Sequence, residues 1–261
     1  MTDIISNLSP FWGLALTTFS LIILGLTAYF MGRVLLSKYF DSSIETIGVN
    51  LFRANGVLLG LLLSMNFATV RSEYVKIQES VELGAKEITE ISEDLKRYSS
   101  PEANNLLEQL GVYITVVIEE EWPILAKGQP HEKAWKMFND LEDGILRLEP
   151  KSDEQALIKE RMIKDIDELS DHRHTTMYSG NVSLNWFLFV VLVIFLSSSF
   201  FLSVYSVRRS TLIFFATYSG VIGVVLYSIV ALNRPYQGLT YVSVEPLKIV
   251  SNQLMSVVKN E

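Results

Sequence analysis

The sequence predicts an all-α integral membrane protein, with four transmembrane helices in two hairpins and a helical extramembrane domain between them. Two observations carry that prediction. Uncharged, strongly apolar stretches lie at 11–32, 54–70, 184–206 and 211–232. A bilayer core about 30 Å thick is crossed by ~20 apolar residues of helix, with ~17 as a workable minimum. Backbone groups in lipid must find partners internally, so each stretch has to be a helix. Between the second and third stretches, residues 71–183 carry 24 acidic and 14 basic residues, a net of −10, whereas the rest of the chain carries 8 basic and 5 acidic residues, a net of +3. The middle segment therefore reads as an acidic body in water. Its charge argues against nucleic acid, whose phosphates need Lys and Arg. With no cysteine in the chain, disulfides, thiol chemistry and Cys-ligated metals are excluded.

Taken in order, Ser9-Pro10 suits a helix start, because Ser can cap and Pro is tolerated at the first helical position. The uncharged run from Ile4 to Gly32 has no basic residue before it and is too long for a signal core, so it reads as a retained anchor. A link with Lys38, Asp41 and Glu45 leads to the second span. Gly56 and Gly60 form a small-xxx-small pair there, of the kind that lets another helix approach closely. No Pro interrupts 57–100, which predicts that the second span runs on into water as one long helix, leaving the membrane near Arg71. Ser99-Ser100-Pro101-Glu102 reads as a stop and a fresh capped start. The next helix reaches about Ala126, bent by Pro123 and closed by Gly128-Gln129-Pro130. Another spans 131–148. Ser152 with Gln155 resembles a capping box opening a helix through Tyr178, which Gly180 and Asn181 can break. Val207-Arg208-Arg209-Ser210 is a tight turn between the last two spans. Asn233 to Gly238 is a turn-rich exit, Thr240–Val244 looks extended, and a last amphipathic helix carries Leu247, Val250, Leu254 and Val257 on one face. The parts are thus a first hairpin (1–70), an acidic helical body (71–183), a second hairpin (184–232) and a tail (233–261), expected to form one integrated unit.

The candidate sites follow from this layout. At 100° per residue, Asn55, Leu62, Asn66, Thr69 and Glu73 fall within about 40° of one direction on the second span. Two readings stand. Either the stripe lines a wet pathway, with Asn66 and Thr69 meeting an ion and Leu62 a constriction, or the Asn side chains bond neighbouring helices and hold the bundle together. His172 and His174 flank Arg173, beside Asp171. Residues two apart on a helix diverge, so joint metal binding is not expected, and the segment reads as a solvated turn. Glu119-Glu120-Glu121 reads as a solvated face. No nucleophile with a base, glycine-rich phosphate loop or HExxH is present, so neither enzyme, cofactor nor metal is expected. No span has Asp, Glu or Lys at its centre, which weighs against a proton relay.

Three patches carry a family resemblance. They are Gly60-Leu-Leu-Leu-Ser-Met-Asn-Phe-Ala68 running through Arg71-Ser-Glu-Tyr74, Tyr113 through Glu121-Trp122-Pro123, and Arg234-Pro235-Tyr-Gln-Gly238 followed by Ser243-Val-Glu-Pro-Leu247. In order and spacing the chain resembles the bacterial bestrophin-like membrane proteins of unknown function, over nearly its whole length. The more specific marks are Glu121, Trp122, Pro123, Arg234, Pro235 and Gly238. The resemblance implies a distant similarity to bestrophins, pentameric anion channels whose second span lines the pore. It therefore implies a homo-oligomer in the bacterial inner membrane, with lipid and small anions as partners. No run matches the bestrophin constriction, so no gate residue is carried over. The side of the membrane is open: Arg33, Lys38, Arg208 and Arg209 in the short loops lean the acidic body toward the periplasm, whereas bestrophins keep theirs in the cytoplasm. The expected function is an anion channel lined by the second span. The alternative is a non-conducting membrane scaffold or signalling protein acting through its helical body.

Overall fold

The protein is described by a computed structural model covering residues 10–36, 42–125, 131–179, 183–204 and 209–258. Among the described residues every regular element is helical: α1 (Pro10–Leu36), α2 (Ser42–Tyr98), α3 (Pro101–Val116), α4 (Trp122–Leu125), α5 (Glu132–Arg147), α6 (Asp153–Tyr178), α7 (Asn185–Leu202), α8 (Arg209–Leu232) and α9 (Glu245–Val258). A single π turn, Val117–Glu121, joins α3 to α4, and a 3-10 turn, Gly238–Thr240, precedes α9. Among the described residues four helices, α1, α2, α7 and α8, are long and apolar enough to cross a membrane. The expected Ser9 cap, Lys38, Asp41, Gly128-Gln129-Pro130, Gly180, Asn181, Val207 and Arg208 lie outside the described residues.

The chain groups into two compact units, Met1–Ser72 with Asn181–Arg234, and Glu73–Gly180 with Pro235–Glu261. In the first, α1 packs against α7 and α8. Buried Leu21, Leu59, Leu63, Phe187, Phe195, Ile222 and Ile229 share one apolar cluster. The fully buried Ser198, Ser199 and Ser219 each donate their hydroxyl to the carbonyl four residues back, which satisfies them without a partner helix. Close helix approach occurs at Gly223, where an added Cβ would sit 2.8 Å from the Thr18 Cα. Gly56 and Gly60 make no such approach among the described residues. A Cβ on Gly56 would meet only the Tyr218 hydroxyl at 3.7 Å, and one on Gly60 would meet nothing within 4 Å. Both instead line an open groove of about 520 Å³ between α2 and α8.

The second unit contains the larger core, from Ile77 on α2 to Leu254 on α9. Its elements start where local chemistry dictates. Ser100 Oγ accepts from the Ala103 N–H (3.1 Å) to open α3, and Ser152 Oγ accepts from the Gln155 N–H (3.2 Å) to open α6. Gln155 returns the capping bond to the Lys151 N–H (2.8 Å) and donates to the Tyr98 carbonyl (2.8 Å), tying the start of α6 to the end of α2. α2 itself runs unbroken for 57 residues, as the absence of helix breakers predicts. The irregularity expected at Pro123 begins earlier. Proline removes a helical N–H and crowds the carbonyl four residues back, and the chain widens into the π turn just before it, with the Trp122 N–H reaching back five residues to the Val117 carbonyl. The segment read as extended begins instead with the 3-10 turn: Gly238 takes φ +81, a left-handed conformation that suits glycine. The chain then runs as non-helical backbone to α9, and the Val242 N–H bonds the Pro235 carbonyl at 2.7 Å. Leu247, Val250 and Leu254 are buried as their spacing predicts, and the Val257 side chain lies outside the described residues.

Candidate functional site

The most fully built polar site is in the second unit, around a buried ion pair that the sequence reading did not anticipate. Glu121 and Arg173 are 2% and 7% exposed. The guanidinium donates to the two carboxylate oxygens at 2.7 and 2.9 Å, and its NH1 also donates to the Tyr113 hydroxyl at 2.8 Å. Its carbon lies within 6 Å of the ring centroids of Tyr113, Trp135 and Phe138 (5.6, 5.7 and 5.7 Å). Burial pushes the Glu121 carboxyl upward, and Arg173 draws it back. Burial also opposes the charge on Arg173, but Tyr113 and Glu121 outweigh it and hold the guanidinium protonated. Burial raises the Tyr113 and Tyr236 hydroxyls as well. A paired charge with this bidentate geometry is how a folded interior tolerates ions.

Two sequence readings are corrected here. Glu119-Glu120-Glu121 is not uniformly solvated: Glu119 and Glu120 are exposed, whereas Glu121 is buried. The reason is the π turn. In a regular helix residue 120, seven on from Tyr113, would share its face to within about 20°; one extra residue in the turn puts Glu121 there instead. Nor is Arg173 part of a solvated turn. Asp171 and His174 are exposed as expected, with His174 stacked on Tyr178, but Arg173 lies inward. The signal that finds it is register: Ile158, Met162, Asp165, Leu169 and Arg173 form the buried row of α6.

A small cavity of about 50 Å³ adjoins the pair, lined by Glu121, Trp122, His172, Arg173, Thr176 and Leu247 among others. The second and third signature patches of the sequence, but not the first, meet around it. Trp122 packs edge-on against Tyr236 with centroids 5.7 Å apart, the Tyr236 hydroxyl donates to the Thr176 carbonyl, and Pro235 is buried. Trp122 Nε1 and Arg173 Nε are buried donors without an acceptor among the described residues. Both residues are among those lining this mainly apolar cavity.

A second cluster holds carboxylates. Oxygens of Glu87, Glu90 and Asp165 lie within 4.8 Å of one another. Asp165 is pushed up to about 6, by burial first and then by Glu87, Glu90 and Asp94, with Lys164 opposing.

The residues of the predicted stripe differ in their exposure and their partners. Asn55, Leu62 and Asn66 are half-buried and Thr69 is exposed. Asn66 Nδ2 donates to the Leu62 carbonyl (3.0 Å) and Thr69 Oγ1 to the Met65 carbonyl (3.0 Å), so both bond back to their own helix. Glu73, which belongs to the second unit, pairs with Lys76 at 2.7 Å. Of the signature residues, Glu121 and Trp122 are buried and Pro123 is exposed beside them, while Arg234 closes the first unit.

Among the described residues the regular elements are all helical, and four of the helices are long and apolar enough to cross a membrane, which marks the class of an apolar helical protein suited to a lipid environment. Residues 18–247 match a Bestrophin-like domain, and the chain belongs to that family. No curated protein matches it, and no solved structure does.

Proposed function

We propose that the chain is an integral membrane protein that assembles with copies of itself and conducts small anions along a path lined by the second apolar helix. One observation carries this reading. The apolar part of α2 is the least hydrophobic of the four candidate spans, with a mean hydropathy of 1.5 against 1.9, 2.2 and 2.0, and also the least covered, with 17% of its most apolar stretch buried against 22%, 28% and 33%. Polar groups are costly against lipid, so the most polar span ought to be the best covered by its own chain. The reverse order supports a cover other than lipid, and copies arranged around a wet axis supply one. Asn66 commits one amide hydrogen to the Leu62 carbonyl and keeps a second donor for an anion. Asn55 and Thr69 extend the polar face, Leu62 forms a constriction, and Glu73 stands beyond the apolar segment. Gly56 and Gly60 on the open groove let a helix of another copy approach.

The first test is the mass of the purified complex, by native mass spectrometry in nanodiscs. A single-chain particle overturns the reading, because one copy cannot surround an axial path. For an oligomer, anion flux into liposomes is expected, with Asn66→Leu altering its rate or selectivity; unchanged flux removes the lining assignment. The second reading, a non-conducting scaffold or signalling protein, is favoured by the extent of the packed acidic body, and a stable partner on residues 71–183 without flux selects it.

A further inference from the structure

We propose that Glu87, Glu90 and Asp165 form a binding site for one hard divalent cation in the helical body. Glu87 and Glu90 are three apart on α2 and so share a face, and Asp165 comes from α6. Their oxygens converge to within 4.8 Å. Oxygen ligands bind Ca²⁺ at about 2.3–2.6 Å, so two of them on one ion stand up to ~5 Å apart. The same reasoning gives up to ~4 Å around Mg²⁺, which demands tighter geometry. Three oxygens within that spread close around the larger ion with a modest movement and around the smaller one with a greater movement.

An independent observation points to a ligand. Glu87 is 2% exposed, and its Oε2 is buried with no donor among the described residues. A buried carboxylate oxygen left without a donor is among the costlier features a fold can carry. The neighbouring cations leave it unmatched. Lys86 Nζ reaches the other oxygen, Glu87 Oε1, at 3.1 Å and Glu90 Oε1 at 3.1 Å, from a side chain that is 56% exposed. Lys164 pairs with Glu168 at 3.1 Å. Arg161 and Arg97 are taken up by Asp94, at 3.0 and 3.4 Å. Two of the three carboxylates, Glu87 and Asp165, are more than nine-tenths buried, and Lys86 offsets only part of the cluster's charge. A divalent ion with carboxylate oxygens on one side and water on the exposed Glu90 side meets each of these requirements.

The test uses the full chain in detergent, stripped with EDTA and then titrated with CaCl₂, MgCl₂ or MnCl₂ at constant ionic strength, followed by thermal unfolding and Mn²⁺ paramagnetic resonance. A saturable rise in Tm with at least one divalent ion, absent with matched NaCl, is expected. Glu87→Gln and Asp165→Asn, which relieve repulsion and so keep the fold, are expected to weaken binding at least tenfold. Lys86→Met removes a competing ammonium at an exposed position and is expected to tighten it severalfold. No divalent-dependent rise in the unaltered chain overturns the proposal, as does an affinity that neither Glu87→Gln nor Lys86→Met moves.

Discussion

Arg173 shows how much one side chain can hold in place. Its guanidinium joins Glu121 and Tyr113 and lies against three aromatic rings. Removing one partner of a buried pair strands the other charge and costs about 3–5 kcal/mol, whereas replacing both with apolar groups is often near neutral. Arg173→Met is therefore expected to lower Tm sharply, and Arg173→Met with Glu121→Leu to recover most of the loss; a double variant as unstable as the sum of the single ones would mean that the pair contributes packing rather than charge compensation. Asp165 supports a pH prediction. Its folded carboxyl is raised to about 6 from an ordinary 3.8, so the folded chain binds this proton more tightly than the unfolded one. The associated stability is fully present below about pH 4 and lost as pH rises through about 6. In EDTA, Asp165→Asn, neutral at every pH, is expected to raise Tm at pH 7.5 and to leave it nearly unchanged at pH 4. A gain of equal size at both values would show that the cost of the ionised carboxylate, set by burial first and then by Glu87, Glu90 and Asp94, is not its cause.

Elements were legible in the sequence wherever their cause is local. The caps at Ser100 and Ser152 follow from side chains three residues from their targets, and the unbroken α2 follows from the absence of Pro. Tertiary causes were not legible. Glu121 has the same identity as its two solvated neighbours, and only an added residue per turn separates them. Arg173 lies on the buried row of α6 but carries a charge, and charge outweighs register in a reading without partners. The π turn yields a test at this scale. A deletion inside a regular helix turns everything beyond it by about 100°, but a deletion within a π turn restores α geometry and keeps the register. Deleting exposed Glu119 with Pro123→Ala, which removes the proline's conflict with a regular helix, is expected to keep the Glu121–Arg173 pair and most of the Tm. Deleting Glu108, equally exposed but within α3, is expected to abolish cooperative unfolding. If both deletions are equally damaging, the turn is not a one-residue insertion into an otherwise regular helix.

For the whole molecule, the decisive surface is the groove along α2. Gly60 meets nothing within 4 Å of an added Cβ, and the helix carrying it is the least covered of the four apolar ones. A larger side chain there strains no contact inside the chain, and replacing glycine within a helix favours the helical state by about 0.5–1 kcal/mol. Gly60→Leu is therefore expected to leave single-chain stability unchanged or slightly raised. Its effect on assembly depends on what lies in the groove. Lipid tails are fluid and as apolar as Leu, so they rearrange around it. A helix of a second copy resting on Gly56 and Gly60 would be driven outward, since small residues are what allow backbones to approach in the bilayer. We expect Gly60→Leu to shift the native mass distribution toward the single chain while Tm in detergent holds, and Gly60→Ala to do so weakly. An oligomer that survives Gly60→Leu unaltered would leave the groove to lipid and move the contact between copies to another face of α2.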